Sequence, residues 1–443
     1  MRKGPPVLTR KDFPPGFRFG VATAAYQIEG SSFGGAGPCH WDSFAATPGN
    51  TAGGSDGSRA CDHYHRWPGD LDLVRDGNFD SYRFSTSWAR VMPDGVNVNP
   101  EGLDFYDRLV DGMVARGIAP VLTLYHWDLP SALSLQGGWC HRDIAARFAD
   151  YARAVMARLG DRIEMTATLN EPWCIAWLSH FLGKHAPGLR DIRATAHASH
   201  YCLLAHATAL QALRADGHRN LGIVLNFETA HPASRSTADM AAAARRDAIY
   251  NRWFLDAVTG AGYPALALDG LGPHMPAGWQ DDMALIAAPL DWLGVNYYTR
   301  SILRGSDELW PSFKFVPGPL PKTGIGWEIR PEGLTEFLLR AAAAAPDLPL
   351  YVTENGMAGL ESQKCGTVDD TTRQGFIRDH LQAALDAIKA GVDLRGFYQW
   401  SLLDNYEWAL GYGPRFGLVH VDYTTQIRTP KVSYHMLREA LSR

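Results

Sequence analysis

Eight times along the chain, a short apolar run ending in polar or aromatic residues gives way to a stretch with apolar residues at helical spacing. The apolar runs are residues 17–25, 79–84, 118–124, 163–169, 221–227, 290–295, 348–352 and 394–399. The helical stretches are 69–76, 103–115, 144–159, 194–215, 241–258, 331–345, 376–390 and 432–441. Eight strand-then-helix units predict an α/β fold, a parallel sheet closed into a single (β/α)8 TIM barrel whose functional groups gather at its carboxyl-terminal mouth. A doubly wound open sheet with a nucleotide site would want a turn such as GxGxxG after a strand, and none is present. Such barrels reach 443 residues through elaborated loops, so one domain over residues 1–443 is expected. Residues 34–57 read as a long surface loop and 264–288 as irregular, while 301–327 form a Pro- and Gly-rich insertion that would wall the mouth.

Composition narrows the partners. With 42 basic against 47 acidic residues, the formal net charge is −5, which argues against nucleic acid. No apolar run is long enough to span a membrane, and the basic N-terminal segment MRKGPPVLTRKDFPPG lacks the apolar core of a secretory signal. A cytoplasmic protein without a membrane partner is expected, and self-association into a homo-oligomer stays open. Cys39, Cys61, Cys140, Cys174, Cys202 and Cys365 include no CxxC pair, so they read as free thiols. The run Cys61-Asp62-His63-Tyr64-His65 imitates part of a metal cluster, but no second cluster completes it. No metal and no cofactor are expected.

Two of the strand ends carry a glutamate. Residues 348–352 lead into Thr353-Glu354-Asn355-Gly356, and 163–169 lead into Asn170-Glu171-Pro172. An acid before Asn-Gly also opens ordinary turns. Two such acids from distant parts of one barrel are the minimum machinery for cleaving a glycosidic bond. Arg83, on an otherwise apolar run, needs an acidic partner if buried, and one of these carboxylates fits. Other strand ends present Gln27, His126-Trp127, Asn296-Tyr297-Tyr298 and the segment from Trp400 to Glu407 and Trp408. Gln27 offers donors and acceptors to vicinal hydroxyls. His126 fits a structural histidine, yet its place beside Trp127 favours sugar binding. Aromatic residues make up 11% of the chain, 14 of them tryptophans, and many fall at strand ends where flat indoles can stack on sugar C–H faces.

Taken in order, these motifs resemble the glycoside hydrolase family 1 β-glucosidases from residue 17 to the C-terminus. Further matching segments are Asp62-His-Tyr-His-Arg-Trp67, Gly137-Gly-Trp139, His185-Ala-Pro-Gly188 and Arg415-Phe-Gly-Leu418. The resemblance implies that Glu354 is the nucleophile and Glu171 the acid/base of a retaining double displacement, assisted by Arg83, Asn170 and Tyr298. It implies a glucose subsite built from Gln27, His126, Trp127, Asn170, Asn296, Tyr298, Trp327, Trp400, Glu407, Trp408 and Phe416, for a small β-glycoside or oligosaccharide. Cys39-His40 and Ala409-Leu410 depart from the family's usual Ser-Ile and Ala-Glu, near the entrance. Plant thioglucosidases of the family carry glutamine in place of the acid/base, and Glu171 argues against that activity. Galactosidase or fucosidase activity, an endo-acting cellulase and a non-catalytic sugar-binding barrel are the rival readings. Retention of both glutamates opposes the last, and Gln27 and Glu407 would close a pocket that an endo-acting cleft must leave open.

In the family's phospho-glycosidases a serine matches Glu407, followed seven and nine residues later by a phosphate-holding lysine and tyrosine; this chain has Pro414 and Phe416 there. A carboxylate accepts hydrogen bonds from neutral 4- and 6-hydroxyls but repels a phosphate carrying nearly two charges. Nitrophenyl β-glucoside is therefore predicted to exceed its 6-phosphate at least about a hundredfold in kcat/KM. Comparable rates on the two would mean that Glu407 does not face the 6-position.

Overall fold

The computed structural model describes residues 8–359, 361–364 and 367–442. The first seven residues of the N-terminal segment, and Cys365, lie outside the described residues. Eight parallel strands run in chain order: β1 (Arg18–Ala22), β2 (Ser81–Ser85), β3 (Ala119–Tyr125), β4 (Met165–Asn170), β5 (Leu221–Pro232), β6 (Trp292–Gly305), β7 (Leu350–Asn355) and β8 (Leu394–Trp400). Each pairs with the next, and β8 pairs with β1 from Arg18↔Gly396 to Ala22↔Trp400, so the eight strands close into a barrel.

Residues pack in two shells because strand side chains alternate. Outward residues such as Val21, Leu122, Leu169, Ile223, Val295 and Val352 join the large core between strands and helices. Inward residues, among them Ala22, Val121, Ala167, Val224, Trp292 and Tyr398, fill the barrel itself. Closure demands small residues where rings cross: a Cβ on Gly20 would lie 2.4 Å from the Tyr398 ring. Helices such as Pro100–Ala115, Ile144–Leu159 and Ile192–Ala215 cover the outside. Among the described residues no helix is long and apolar enough to cross a membrane.

Several sequence expectations need correction. The segment 264–288 is not irregular: it holds helices Ala265–Leu271 and Trp279–Ile286, whose Leu271 and Ile286 are buried. At seven and eight residues, separated by Gly272-Pro273 and Pro276-Ala-Gly278, they are too short for periodicity to reveal. The segment 34–57 is not all surface loop, because His40–Ala46 is a helix that buries Trp41. Asp42 Oδ2 accepts from the Cys39 backbone N–H at 2.8 Å and fixes its start. Strand β1 stops at Ala22, and Tyr26 and Gln27 lie on a single helical turn, Ala25–Ile28. The insertion after the sixth apolar run is partly strand, since β6 extends to Gly305 and pairs antiparallel with Phe313–Phe315.

Gly356, just beyond β7, allows the chain carrying Glu354 to cross the chain carrying Trp400, and a Cβ there would lie 1.8 Å from the Trp400 carbonyl oxygen. Gly356→Ala should therefore destabilise the protein by about 2 kcal/mol or more. Gly69→Ala, inside helix His63–Asp76 with nothing within 4 Å of the new methyl, should stabilise it by ~0.5–1 kcal/mol. Denaturant unfolding checks both, and equal midpoints would contradict the close crossing.

Candidate active site

At the carboxyl ends of the strands a cavity of about 290 Å³ opens between Glu171, Glu354, Glu407 and a set of aromatic walls. Glu354, the last residue but one of β7, is held from two sides. Arg83 Nη1 donates to its Oε1 at 2.6 Å, and the Tyr298 hydroxyl donates to its Oε2 at 2.6 Å. Burial and the charge of Glu354 push the Tyr298 phenol well above its ordinary range, so it stays a donor.

Glu171 has a different environment. Asn296 Nδ2 donates to its Oε1 at 2.7 Å, and the Cys174 thiol donates to its Oε2 at 3.0 Å. Burial, followed by the charge of Glu354, pushes its carboxyl up to about 8. It is thus the natural holder of a proton at neutral pH, one carboxyl away from an ionised partner. Its backbone is also unusual, with φ +50° directly before Pro172. A bulky residue in that region costs roughly 1–3 kcal/mol. Hydrogen bonds from Glu171 N to Val224 O (2.9 Å) and from Cys174 N to Glu171 O (2.8 Å) hold it there. Trp127 and Trp408, two further wall residues, also have positive φ, at +84° and +51°.

The two glutamates are joined through side chains from three other strands. The second arm of Arg83, on β2, donates to Asn170 Oδ1 at 2.8 Å. Asn296, on β6, donates to the same oxygen at 3.1 Å as well as to Glu171, and its own Oδ1 accepts from Thr353 at 2.7 Å. These bonds turn the Asn170 amide nitrogen toward His126 Nε2, 3.2 Å away. Burial and the nearby Arg83 charge depress His126 far below its ordinary range, so the imidazole is neutral.

Among the expected binding residues, His126, Trp127, Tyr298, Trp327, Trp400, Glu407, Trp408 and Phe416 line the cavity. His126 lies parallel to Trp400 with centroids 5.6 Å apart, and Trp408 packs 4.9 Å from Trp127 and 4.7 Å from Trp41. Tyr298, Trp327 and Phe416 pack against one another along another part of the wall. Burial, then the charges of Glu354 and Glu171, push Glu407 up to about 8. Arg83, Asn170, Asn296 and Gln27 stand one layer deeper, each touching a wall residue; Gln27 Nε2 donates to Asn405 Oδ1 (3.0 Å) and Tyr406 O (2.8 Å) and lies 3.5 Å from Glu407. Gln27 Oε1 and His126 Nδ1 are buried and find no partner among the described residues.

Sequence reasoning missed part of the wall. Arg246, from helix Thr237–Asp247, pairs with Glu228 at 2.5 Å and lies over the rings of Tyr250 (4.2 Å) and Trp173 (4.9 Å). Asn226, on β5, donates to the Tyr250 hydroxyl at 2.8 Å. Only the end of the fifth strand hinted at this corner; nothing local to Arg246 or Tyr250 marks them as pocket residues. Cys61, His63 and His65 spend their donor atoms separately, on the Asp404 carbonyl, Asp70 and Asp62. Among the described residues Glu361, Asp404 and His420 have donor atoms close enough to share an ion, but Lys431 Nζ already contacts both acids.

This geometry agrees with the comparisons to known proteins. The model of glycosyl hydrolase family 1 matches residues 9–443. A β-glucosidase from Agrobacterium sp. is 47% identical over 95% of this chain and 93% of its own length. β-Glucosidase A from Thermotoga maritima is 43% identical over 96% of each chain. The solved family 1 β-glucosidase from Thermotoga maritima superposes with a TM-score of 0.94 at 42% identity, covering 96% of this chain and 97% of that one. From the closed barrel, the paired glutamates and these matches together, the chain belongs to glycosyl hydrolase family 1.

Proposed function

We propose that residues 1–443 form one catalytic barrel that acts as an exo-acting, retaining β-glucosidase, releasing terminal non-reducing β-D-glucose from small β-glycosides and oligosaccharides in the cytoplasm. The observation that carries this reading is the contrast between the two glutamates. Glu354 lies between two donors, the Arg83 guanidinium and the Tyr298 hydroxyl, while Glu171, facing the same cavity, has no cation bonded to it among the described residues and is pushed up to about 8.

In the first half-reaction a Glu354 oxygen attacks the anomeric carbon, the bond to the aglycone oxygen breaks, and the Glu171 proton passes to that oxygen. Retention requires the two carboxyl groups ~5 Å apart on opposite sides of the sugar carbon. Formation of the glycosyl ester removes the Glu354 charge, so the repulsion that kept Glu171 protonated disappears. Glu171 then takes a proton from water, the water oxygen attacks the anomeric carbon, and the bond to Glu354 breaks. Asn170 is assigned to the sugar 2-hydroxyl. Gln27, His126, Glu407 and Trp408 take the remaining hydroxyls, with Trp400 as the floor; the unpartnered Gln27 Oε1 and His126 Nδ1 support this assignment.

Glu354→Gly should abolish turnover of aryl glucosides, and azide should restore cleavage to give the α-glucosyl azide. Glu171→Ala should slow poor leaving groups by about 10²–10⁴-fold while sparing dinitrophenyl glucoside, and with azide it should give the β-product. Nuclear magnetic resonance of the products checks both variants. A β-azide from the Glu354 variant, or equal losses across leaving groups for the Glu171 variant, would sink the assignment.

A further inference from the structure

Cys174 has no place in the steps above, yet its sulfur touches the proposed acid. It is buried, begins the π-helical segment Cys174–Phe181, and lies on the cavity wall. Three contacts define its surroundings. The Cys174 backbone N–H donates to the Glu171 carbonyl at 2.8 Å, the thiol lies 3.0 Å from Glu171 Oε2, and Asn226 Nδ2 approaches the sulfur at 3.8 Å from the other side. The Asn226 amide also donates to the Tyr250 hydroxyl, which fixes its orientation. With an N–H donor on one side of the sulfur and a carboxyl oxygen on the other, the S–H is directed at Glu171.

We propose that Cys174 is a positioning residue whose thiol, aimed by Asn226, grips the Oε2 edge of Glu171 and eases its passage from acid to base. The inference rests on the reading of Glu171 given above. Asn296 already donates to Oε1, so the mobile proton of Glu171 resides on Oε2, the oxygen facing Cys174. When Oε2 carries the proton, the sulfur is at most a weak acceptor. Once Oε2 loses it, the thiol donates to a full carboxylate, where a hydrogen bond is strongest. The bond thus favours the form of Glu171 needed for the second half-reaction. Burial and the Glu171 charge hold the Cys174 thiol well above its ordinary range, so it remains S–H throughout.

Other charges act on the same carboxyl: Glu354 and Arg83 face it directly, Glu407, Tyr298 and Tyr250 adjoin it, and Arg246 faces the thiol. The test must separate the thiol from these. The alkaline limb of kcat/KM on nitrophenyl β-glucoside reads the ionisation of Glu171. Cys174→Ala should move that limb upward by about half a pH unit or more, because a donor to the ionised form is lost. Cys174→Ser, which keeps an O–H donor, should leave it at or below the wild-type position. If the alanine variant fails to fold by circular dichroism, Cys174→Val fills the volume without a donor and must give the same upward shift.

In a Glu171→Gln background with dinitrophenyl glucoside, adding Cys174→Ala should leave the profile unchanged. A shift in that background assigns the effect to Glu407 and overturns the proposal. An unmoved limb in Cys174→Ala, while Glu171→Gln still abolishes it, overturns the proposal and leaves Glu171 as the acid. A limb that survives Glu171→Gln removes the underlying reading, and the proposal with it.

Discussion

The contact between Arg83 and Glu354 is the interaction on which the pocket depends. Both side chains are almost fully buried, inside the barrel, with nitrogen and oxygen 2.6 Å apart. A buried ion pair gains little over an apolar one, but removing one partner strands the other charge at a cost of about 3–5 kcal/mol. The fork of Arg83 spreads its charge further: one arm meets Glu354 on β7 and the other Asn170 on β4, and Asn296 on β6 continues the line to Glu171. Four strands that share no local sequence are thereby fixed at their carboxyl ends. Positions set this way are shared by the entire barrel, so the glutamates inherit the rigidity of the sheet rather than of a loop.

Function here works against stability. Glu171, Glu354 and Glu407 converge on one cavity, and burial with mutual repulsion pushes Glu171 and Glu407 up to about 8. In the unfolded chain Glu171 ionises near 4.5, so between that value and about 8 the folded state keeps a proton that the unfolded state releases. Stability attributable to this group therefore falls as pH rises through that window. The positive φ at Glu171 adds backbone strain at the same residue. Hydrogen bonds from Asn296 and Cys174 and the close packing of the barrel offset these costs.

Much of this was legible in the sequence because a parallel barrel writes its plan locally. Each strand is a short apolar run, and the residue that ends it faces the mouth, which is how Glu171, Glu354, His126 and Trp400 could be read as neighbours. The need of a buried Arg83 for an acid follows from electrostatics alone. What was hidden depends on long-range packing. The short helices at Ala265–Leu271 and Trp279–Ile286 owe their existence to burial rather than periodicity. Arg246 reaches the cavity from an outer helix by lying over Trp173 and Tyr250, a contact between residues 73 and 4 positions away that no motif records. Cys174 read as one of the free thiols; the amide that approaches its sulfur comes from Asn226 on β5, 52 positions away.

The central claim is that Glu354 becomes covalently bound to the sugar. A 2-deoxy-2-fluoro-β-glucoside with a dinitrophenyl leaving group slows the second half-reaction, because fluorine removes the 2-hydroxyl bonds that strengthen in the transition state. Peptide mapping of the trapped enzyme by mass spectrometry should find one fluoroglucosyl group on the peptide holding Tyr351-Val-Thr-Glu354-Asn-Gly356, with the modification on Glu354 itself. A label on another residue, or turnover with no accumulated adduct, would contradict the account.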